Sequence, residues 1–218
     1  MTRSRIAANA AQALWGIART ADLREPPTLA QAQQWHRDLY DQSPRPFGYF
    51  AGQVRNSDPD FPDLIGYEVQ VGGTPGTPSA QVPQALRRFE LAAQAAASRL
   101  DAVIAVGADP STMAPAELHV VLSYAAALHG TWVRIHPFAN GNGRTARLWA
   151  NWAALRYGLP PFVTIKPRPG QPYRAAAAAS MTGSDQVMVA ALHQMLRDYL
   201  SGLAPYADAD EPSLPSRL

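Results

Sequence analysis

Within twelve residues, from His136 to Arg147, the chain sets an imidazole, a Gly141-Asn142-Gly143 turn and two arginines three positions apart. An unperturbed imidazole titrates near pH 6.5 and can accept a proton at neutrality. After the turn, Leu148, Trp149, Trp152 and Leu155 fall on one face of a helix that the spacing predicts from Arg144 to Tyr157. The first N–H groups of such a helix lack intrahelical acceptors and carry about half a positive elementary charge. Glycines at 141 and 143 let several N–H groups turn into one concavity and let an anion approach closely. Arg144 and Arg147 add forked donors suited to phosphate oxygens, and Asn142 offers a side-chain N–H. Arginines in a first turn oppose the helix dipole, a penalty that a bound anion offsets. Taken singly, these are a structural histidine, a common turn and two solvated arginines. Taken in this order and spacing, they describe a polyphosphate cradle beside a general base.

The same stretch, His136-Pro137-Phe138-Ala139-Asn140-Gly141-Asn142-Gly143-Arg144-Thr145-Ala146-Arg147, resembles the signature of the Fic family, His-x-Phe-x-(Asp/Glu)-Gly-Asn-Gly-Arg-x-x-Arg. It departs from that pattern only at Asn140, where the family usually has an acid. The resemblance implies a mainly α fold, a Fic-type helical bundle with a short β-hairpin flap over the active site. It implies transfer of AMP from ATP to a Ser, Thr or Tyr hydroxyl of a target protein, with release of pyrophosphate. His136 is then the base, and Gly141, Asn142 and Gly143 form the anion hole. Arg144 holds the β-phosphate, Arg147 the γ-phosphate, and Asn151 on the same helix faces the nucleoside. Related Doc-type kinases have Lys in place of the second glycine of the turn, so Gly143 favours nucleotidyl over phosphoryl transfer. The implied cofactor is Mg²⁺, for which Asn140 is a weak ligand: an amide oxygen lacks the charge of the carboxylates on which Mg²⁺ sites usually rely. Asn140 leaves three outcomes open. The nucleotide's own phosphates carry the metal and adenylyl transfer survives, fast or slow; the enzyme uses another phosphate-containing donor; or the domain binds nucleotide or docks a target with little turnover.

The elements around this stretch can be read from pattern. Ile6, Ala10, Leu14 and Ile17 mark an amphipathic helix over residues 4–20. Ser4-Arg5-Ile6-Ala7-Ala8-Asn9 has the shape of the family's inhibitory motif, (Ser/Thr)-x-x-x-Glu-(Gly/Asn), with Ala8 in place of the Glu that pairs with the second arginine. Residues 1–27 are read as this helix and a linker ending at Glu25-Pro26-Pro27, residues 28–203 as the Fic domain, and residues 204–218 as a disordered tail. Thr28 caps a helix through Tyr40, with Leu29, Ala32, Trp35, Leu39 and Tyr40 inward and His36 on the surface. Trp35-His36-Arg37 resembles the end of a Fic helix, and Arg55, in a loop over 43–62, the family's Gly-x-x-Arg approach to the flap. Tyr67, Val69 and Val71 alternate with Glu68 and Gln70 as in a half-exposed strand, and Gly72-Gly73 makes a turn. On its residues alone this is a surface hairpin. By position it corresponds to the flap, with Val71, Gly72, Gly73 and Thr74 receiving the target segment through main-chain pairing. Further helices are predicted at 82–100, at 115–129 with Ser111 or Thr112 as cap, at 171–181 and at 185–201. His129 reads as structural, and Tyr173 and Asp185 echo the family's closing region.

Composition limits the alternatives. A chain of 218 residues with 47% apolar content suits one core. Net charge is +2, from 19 basic and 17 acidic residues without a basic run, so nucleic-acid and membrane-surface binding are unsupported. With no cysteine, disulfides and thiol-based metal or redox chemistry are excluded. The start of the chain shows Arg3 and Arg5 but no continuous apolar stretch, which argues against a secretory signal. The expected setting is cytoplasmic, with a secreted or injected effector left open. The expected partners are a target protein, the nucleotide and a separate antitoxin or inhibitor protein.

Overall fold

A computed structural model describes residues 2–203 except 108 and 110, with side chains from residue 5 onward; the expected tail lies outside the described residues. Two helices form its axis: α4 (Pro115–Ile135) and α5 (Asn142–Arg156), which pack along each other. On α4 lie α3 (Val82–Asp101), α6 (Tyr173–Met181) and α7 (Asp185–Leu200), while α1 (Thr2–Thr20) and α2 (Leu29–Leu39) cover α5. The expected mainly helical bundle with one short hairpin is what the chain forms.

The α5 helix is covered on nearly every side: Ala146, Leu148, Trp149, Ala150, Trp152, Ala153 and Ala154 are all buried. The small alanines let neighbouring helices close in, and the large rings fill what remains. Trp149 meets Trp35 edge-on at 4.8 Å between ring centroids and Phe89 at 5.4 Å. The α1 helix adds Ile6, Ala10, Ala13 and Ile17 to the same core, so residues 2–20 are an integral layer of the bundle. Ala13, rather than Leu14, completes its buried stripe; Ala8 is exposed. Asn9 donates to the carbonyls of Leu39 (3.2 Å) and Asp41 (2.9 Å), closing the end of α2. At the other end of α2 the Thr28 hydroxyl accepts the N–H of Gln31, as its residue type predicts.

The α4 helix runs six residues beyond the predicted end at His129, through Gly130 to Ile135. Gly130 stays helical because α7 presses on it: a Cβ there would stand 2.7 Å from the carboxyl carbon of Asp185. That carboxylate accepts two bonds from Arg134, at 2.7 and 2.9 Å, one turn on. At its start, neither Ser111 nor Thr112 caps α4; Glu117 accepts the N–H of Ala114 at 2.9 Å instead. The hairpin is shorter than the alternating pattern suggests, with β1 (Gln70–Val71) antiparallel to β2 (Thr74–Pro75) in the register Val71 opposite Thr74. Pro75 has no N–H to extend the ladder. Gly72 and Gly73, at φ 53° and 85°, supply the left-handed pair that a two-residue turn requires. Among the described residues no helix is long and apolar enough to cross a membrane.

Candidate active site

The length of α4 places the imidazole. His136 is the residue after its last turn, with φ 52° and ψ 56°, and its N–H donates to the Trp132 carbonyl at 2.9 Å. A left-handed histidine is uncommon and must be held by its surroundings. Arg55, whose side chain is wholly buried, does this. Its Nε donates to the His136 carbonyl (2.8 Å) and its Nη2 to those of Ile135 (3.0 Å) and Thr77 (3.1 Å). Its Nη1 donates to the Tyr67 carbonyl at 2.6 Å. One guanidinium therefore satisfies the carbonyl end of α4 and ties both feet of the hairpin to it, in the place where a cation suits a helix dipole.

The ring of His136 is oriented by its Nδ1, 3.1 Å from the Val133 carbonyl. A carbonyl only accepts, so Nδ1 carries the hydrogen and Nε2 keeps the lone pair. The pKa of this histidine is lowered to about 4, by burial first and by the Arg55 charge last, against the opposing bond to Val133. At neutral pH the ring is an uncharged base. The foot of the hairpin lies directly against it: a Cβ at Gly76 would be 3.2 Å from the Cβ of His136 and 2.7 Å from Cγ2 of Val69.

The loop from His136 to Asn142 closes on itself. Phe138 is buried, and the carboxamide of Asn142 spans its backbone, accepting the Phe138 N–H at 2.9 Å and donating to the Phe138 carbonyl at 2.8 Å. This corrects one expectation. The Asn142 side chain, 1% exposed, braces the loop and does not project toward an anion. What Asn142 and Gly143 offer is backbone N–H, as the first two residues of α5, where no intrahelical acceptor exists. Gly141 takes φ 80°, and a Cβ on it would meet His36 Nε2 at 2.9 Å and the Tyr40 ring at 3.0 Å. His36 is a second correction. It is fully buried, donates from Nε2 to the Asn140 carbonyl (2.9 Å), accepts the Gly52 N–H on Nδ1 (2.8 Å) and stacks on Phe138 at 3.9 Å. Burial pushes its pKa down to about 3, which keeps the ring neutral in that double role. A lone histidine on an amphipathic helix gives no sign of a partner 104 residues away, and the likeness of Trp35-His36-Arg37 to a family helix identifies the helix but not this contact.

The two arginines flank the turn. Arg144 lies on the Gly141 side, donating to the Tyr40 hydroxyl with its guanidinium over that ring at 5.3 Å. Arg147 lies on the Gly143 side, where a glycine Cβ would be 3.6 Å from its Nη1. It is 2% exposed and donates to the Ile165 carbonyl at 2.7 Å and the Tyr173 hydroxyl at 3.4 Å. Asn151, four residues on, is wholly buried and exchanges two bonds with the backbone of Val163, at 2.7 and 3.0 Å. Its amide is thus spent on the loop before α6 and not presented to a nucleoside. Val71, Gly72 and Gly73 at the hairpin tip are exposed and Thr74 is half-buried, with the outer edge of each strand free of a neighbouring strand among the described residues.

Asn140 offers a cation one neutral oxygen and, among the described residues, no neighbouring ligand set. Its Oδ1 already accepts the Gly141 N–H at 2.6 Å, it is neutral, and among the described residues no cluster of three His, Asp or Glu side chains supplies further ligands. A cation here would be held through phosphate oxygens rather than by the protein.

Comparison with known proteins bears on the family and the fold. The Fic/DOC family pattern matches residues 26–154. A uridine 5'-monophosphate transferase of Xanthomonas campestris pv. campestris is 55% identical over 40 residues, 18% of this chain and 8% of that protein. A protein adenylyltransferase Fic of Drosophila mojavensis is 48% identical over 56 residues, 26% of this chain and 11% of that protein. The matches therefore cover only a small part of the curated relatives' length. Among solved structures, a Fic domain containing signalling protein from Bacteroides thetaiotaomicron overlays with a TM-score of 0.57 at 18% identity, covering 96% of this chain and 75% of that one. BepC from Bartonella tribocorum, solved with bound AMPPNP, gives 0.58 at 16% identity, covering 88% and 86%. At such identities these overlays establish the fold.

Proposed function

The chain belongs to the Fic/DOC family, and from that premise we propose that it transfers AMP from ATP to a hydroxyl of a target protein. The observation that carries the reading is the orientation of His136, with Nδ1 engaged by Val133 and Nε2 left as the base, on a loop that ends in the Gly141-Asn142-Gly143 turn. Nε2 takes the proton of the target hydroxyl, the oxygen attacks the α-phosphorus, and the bond to pyrophosphate breaks. General-base assistance of this kind contributes about a hundred- to ten-thousand-fold. The N–H groups of Asn142 and Gly143, with Arg144 and Arg147 on either side, hold the phosphate charge, so positioning and electrostatics provide the remainder. The target segment lies along Val71 to Thr74, bonded through backbone groups, which demands no fixed sequence.

A second reading keeps the chemistry and changes the donor. It is favoured by one relative's being named a uridine 5'-monophosphate transferase. One experiment addresses both. The protein is incubated with lysate and either ATP or UTP labelled on the α-phosphate, alongside His136→Ala. Labelling from ATP that the variant abolishes supports adenylyl transfer, and labelling confined to UTP moves the assignment to uridylyl transfer. Equal labelling by wild type and variant removes His136 as the base.

A further inference from the structure

Behind Arg147 stands a buried chain of polar groups that the transfer chemistry does not use. His129, on α4 two turns before His136, is fully buried, and its Nε2 lies 2.7 Å from the Tyr173 hydroxyl. The same hydroxyl is 3.4 Å from Nη1 of Arg147, whose guanidinium sits 5.7 Å over the Tyr173 ring. Hydrogen positions follow from chemistry. A guanidinium can only donate, so the Tyr173 oxygen accepts from Arg147; directing the single hydrogen of Tyr173 to Nε2 of His129 is the assignment that leaves the fewest buried groups of this chain unpaired. His129 must then be neutral with its hydrogen on Nδ1, and that nitrogen is buried without a hydrogen-bond partner. Burial, with the charge of Arg147 next in size, lowers its pKa to about 3, in keeping with the neutral form. A leucine would fill the same space without an unpaired N–H. What the imidazole provides is an acceptor that turns the Tyr173 hydroxyl so that its lone pairs face Arg147.

We propose that His129 and Tyr173 are positioning residues that fix the Arg147 guanidinium at the Gly143 end of the turn, and that this makes the site selective for nucleotides carrying a terminal third phosphate. The Nη1 they hold is the one closest to Gly143, and Nη2 is held by Ile165. Two anchors on one planar fork leave it a single orientation, so the entropy of ordering it is removed before a phosphate arrives. Neither residue touches phosphate. The inference rests on the nucleotidyl-transfer reading for the identity of what fills the cradle.

The test is calorimetric binding of α,β-methylene-ATP and α,β-methylene-ADP, which cannot donate AMP, to the full chain. Tyr173→Phe keeps the ring and removes the hydroxyl; His129→Gln keeps an acceptor for it; His129→Leu removes one. The expected result is a loss of about tenfold or more for the triphosphate analogue in Tyr173→Phe and His129→Leu, with the diphosphate analogue within about twofold of wild type. His129→Gln should recover most of the loss. Wild-type affinity for both analogues in Tyr173→Phe, or equal weakening of both, would overturn the inference and leave the transfer reading standing. If the wild-type chain binds neither analogue, the reading itself fails and the inference with it.

Discussion

At the residue scale, the molecule uses polar side chains to brace backbone and keeps few of them for ligand. Arg55 is the clearest case, since four carbonyls from three segments converge on it. Arg55→Met should cost about 3 kcal/mol or more, because it removes a charged donor from four carbonyls at once, one of them in a buried bond. Urea denaturation measures that loss, and labelling activity should fall with it as His136 leaves its left-handed conformation. Asn140 gives a prediction of opposite sign. In Asn140→Asp a carboxylate would still accept the Gly141 N–H and would add charge where phosphates bring a cation. The Mg²⁺ concentration giving half-maximal labelling should drop several-fold, and no change would mean that residue 140 is remote from the cation. The histidines mark how far sequence reaches at this scale. His136 is legible because its neighbours in the chain share its task. His36 is not, because both groups that define its role, the Asn140 carbonyl and the Gly52 N–H, arrive through the fold. Asn142 and Asn151 show the converse: each lies in or beside the signature, yet each spends its amide on backbone.

At the element scale, periodicity and the Thr28 cap were readable, while the start of α4 and tertiary override were not. Thr28 and the span of α3 follow from local chemistry. The end of α4 does not, because a glycine inside a helical pattern reads as punctuation until the carboxylate that needs its space is seen. Gly130→Ala tests that reason. Its Cβ would displace Asp185 from Arg134, so stability should fall by about 1–3 kcal/mol, although alanine is the better helix former. A gain in melting temperature would show that the Gly130–Asp185 contact yields freely. The hairpin likewise had the right turn and the wrong length, because pairing stops at a proline in the partner strand and the remaining residues are fixed by Arg55 and the end of α4.

At the scale of the whole molecule, the buried His36 and His129 and the half-buried His136 couple stability to pH. His36 and His129 have pKa values lowered to about 3 and His136 to about 4, all by burial first, against an unfolded value of 6.5. The unfolded chain therefore binds more protons between about pH 4 and 6.5, and stability rises with pH across that window. Their contribution is complete above pH 6.5 and is lost as pH falls toward the folded values, with a slope approaching roughly 4 kcal/mol per pH unit for the three together. Denaturation midpoints at pH 5 and pH 7 measure it; equal midpoints would mean that these rings are not held neutral. The α1 helix belongs to the same accounting. Because Ile6, Ala10, Ala13 and Ile17 lie in the common core, removing residues 1–22 strips a layer from α2 and α5. Any gain or loss of labelling in that truncation therefore has to be read against its stability.

The central claim is that His136 presents a neutral ring with its hydrogen on Nδ1 and a basic Nε2. Nitrogen-15 NMR of the histidine side chains, with His136 assigned through His136→Ala, tests this without knowledge of any target. The account predicts the Nδ1–H form at pH 7 and no titration of that ring until the pH nears 4. A hydrogen found on Nε2, or a titration midpoint near the ordinary 6.5, would contradict it.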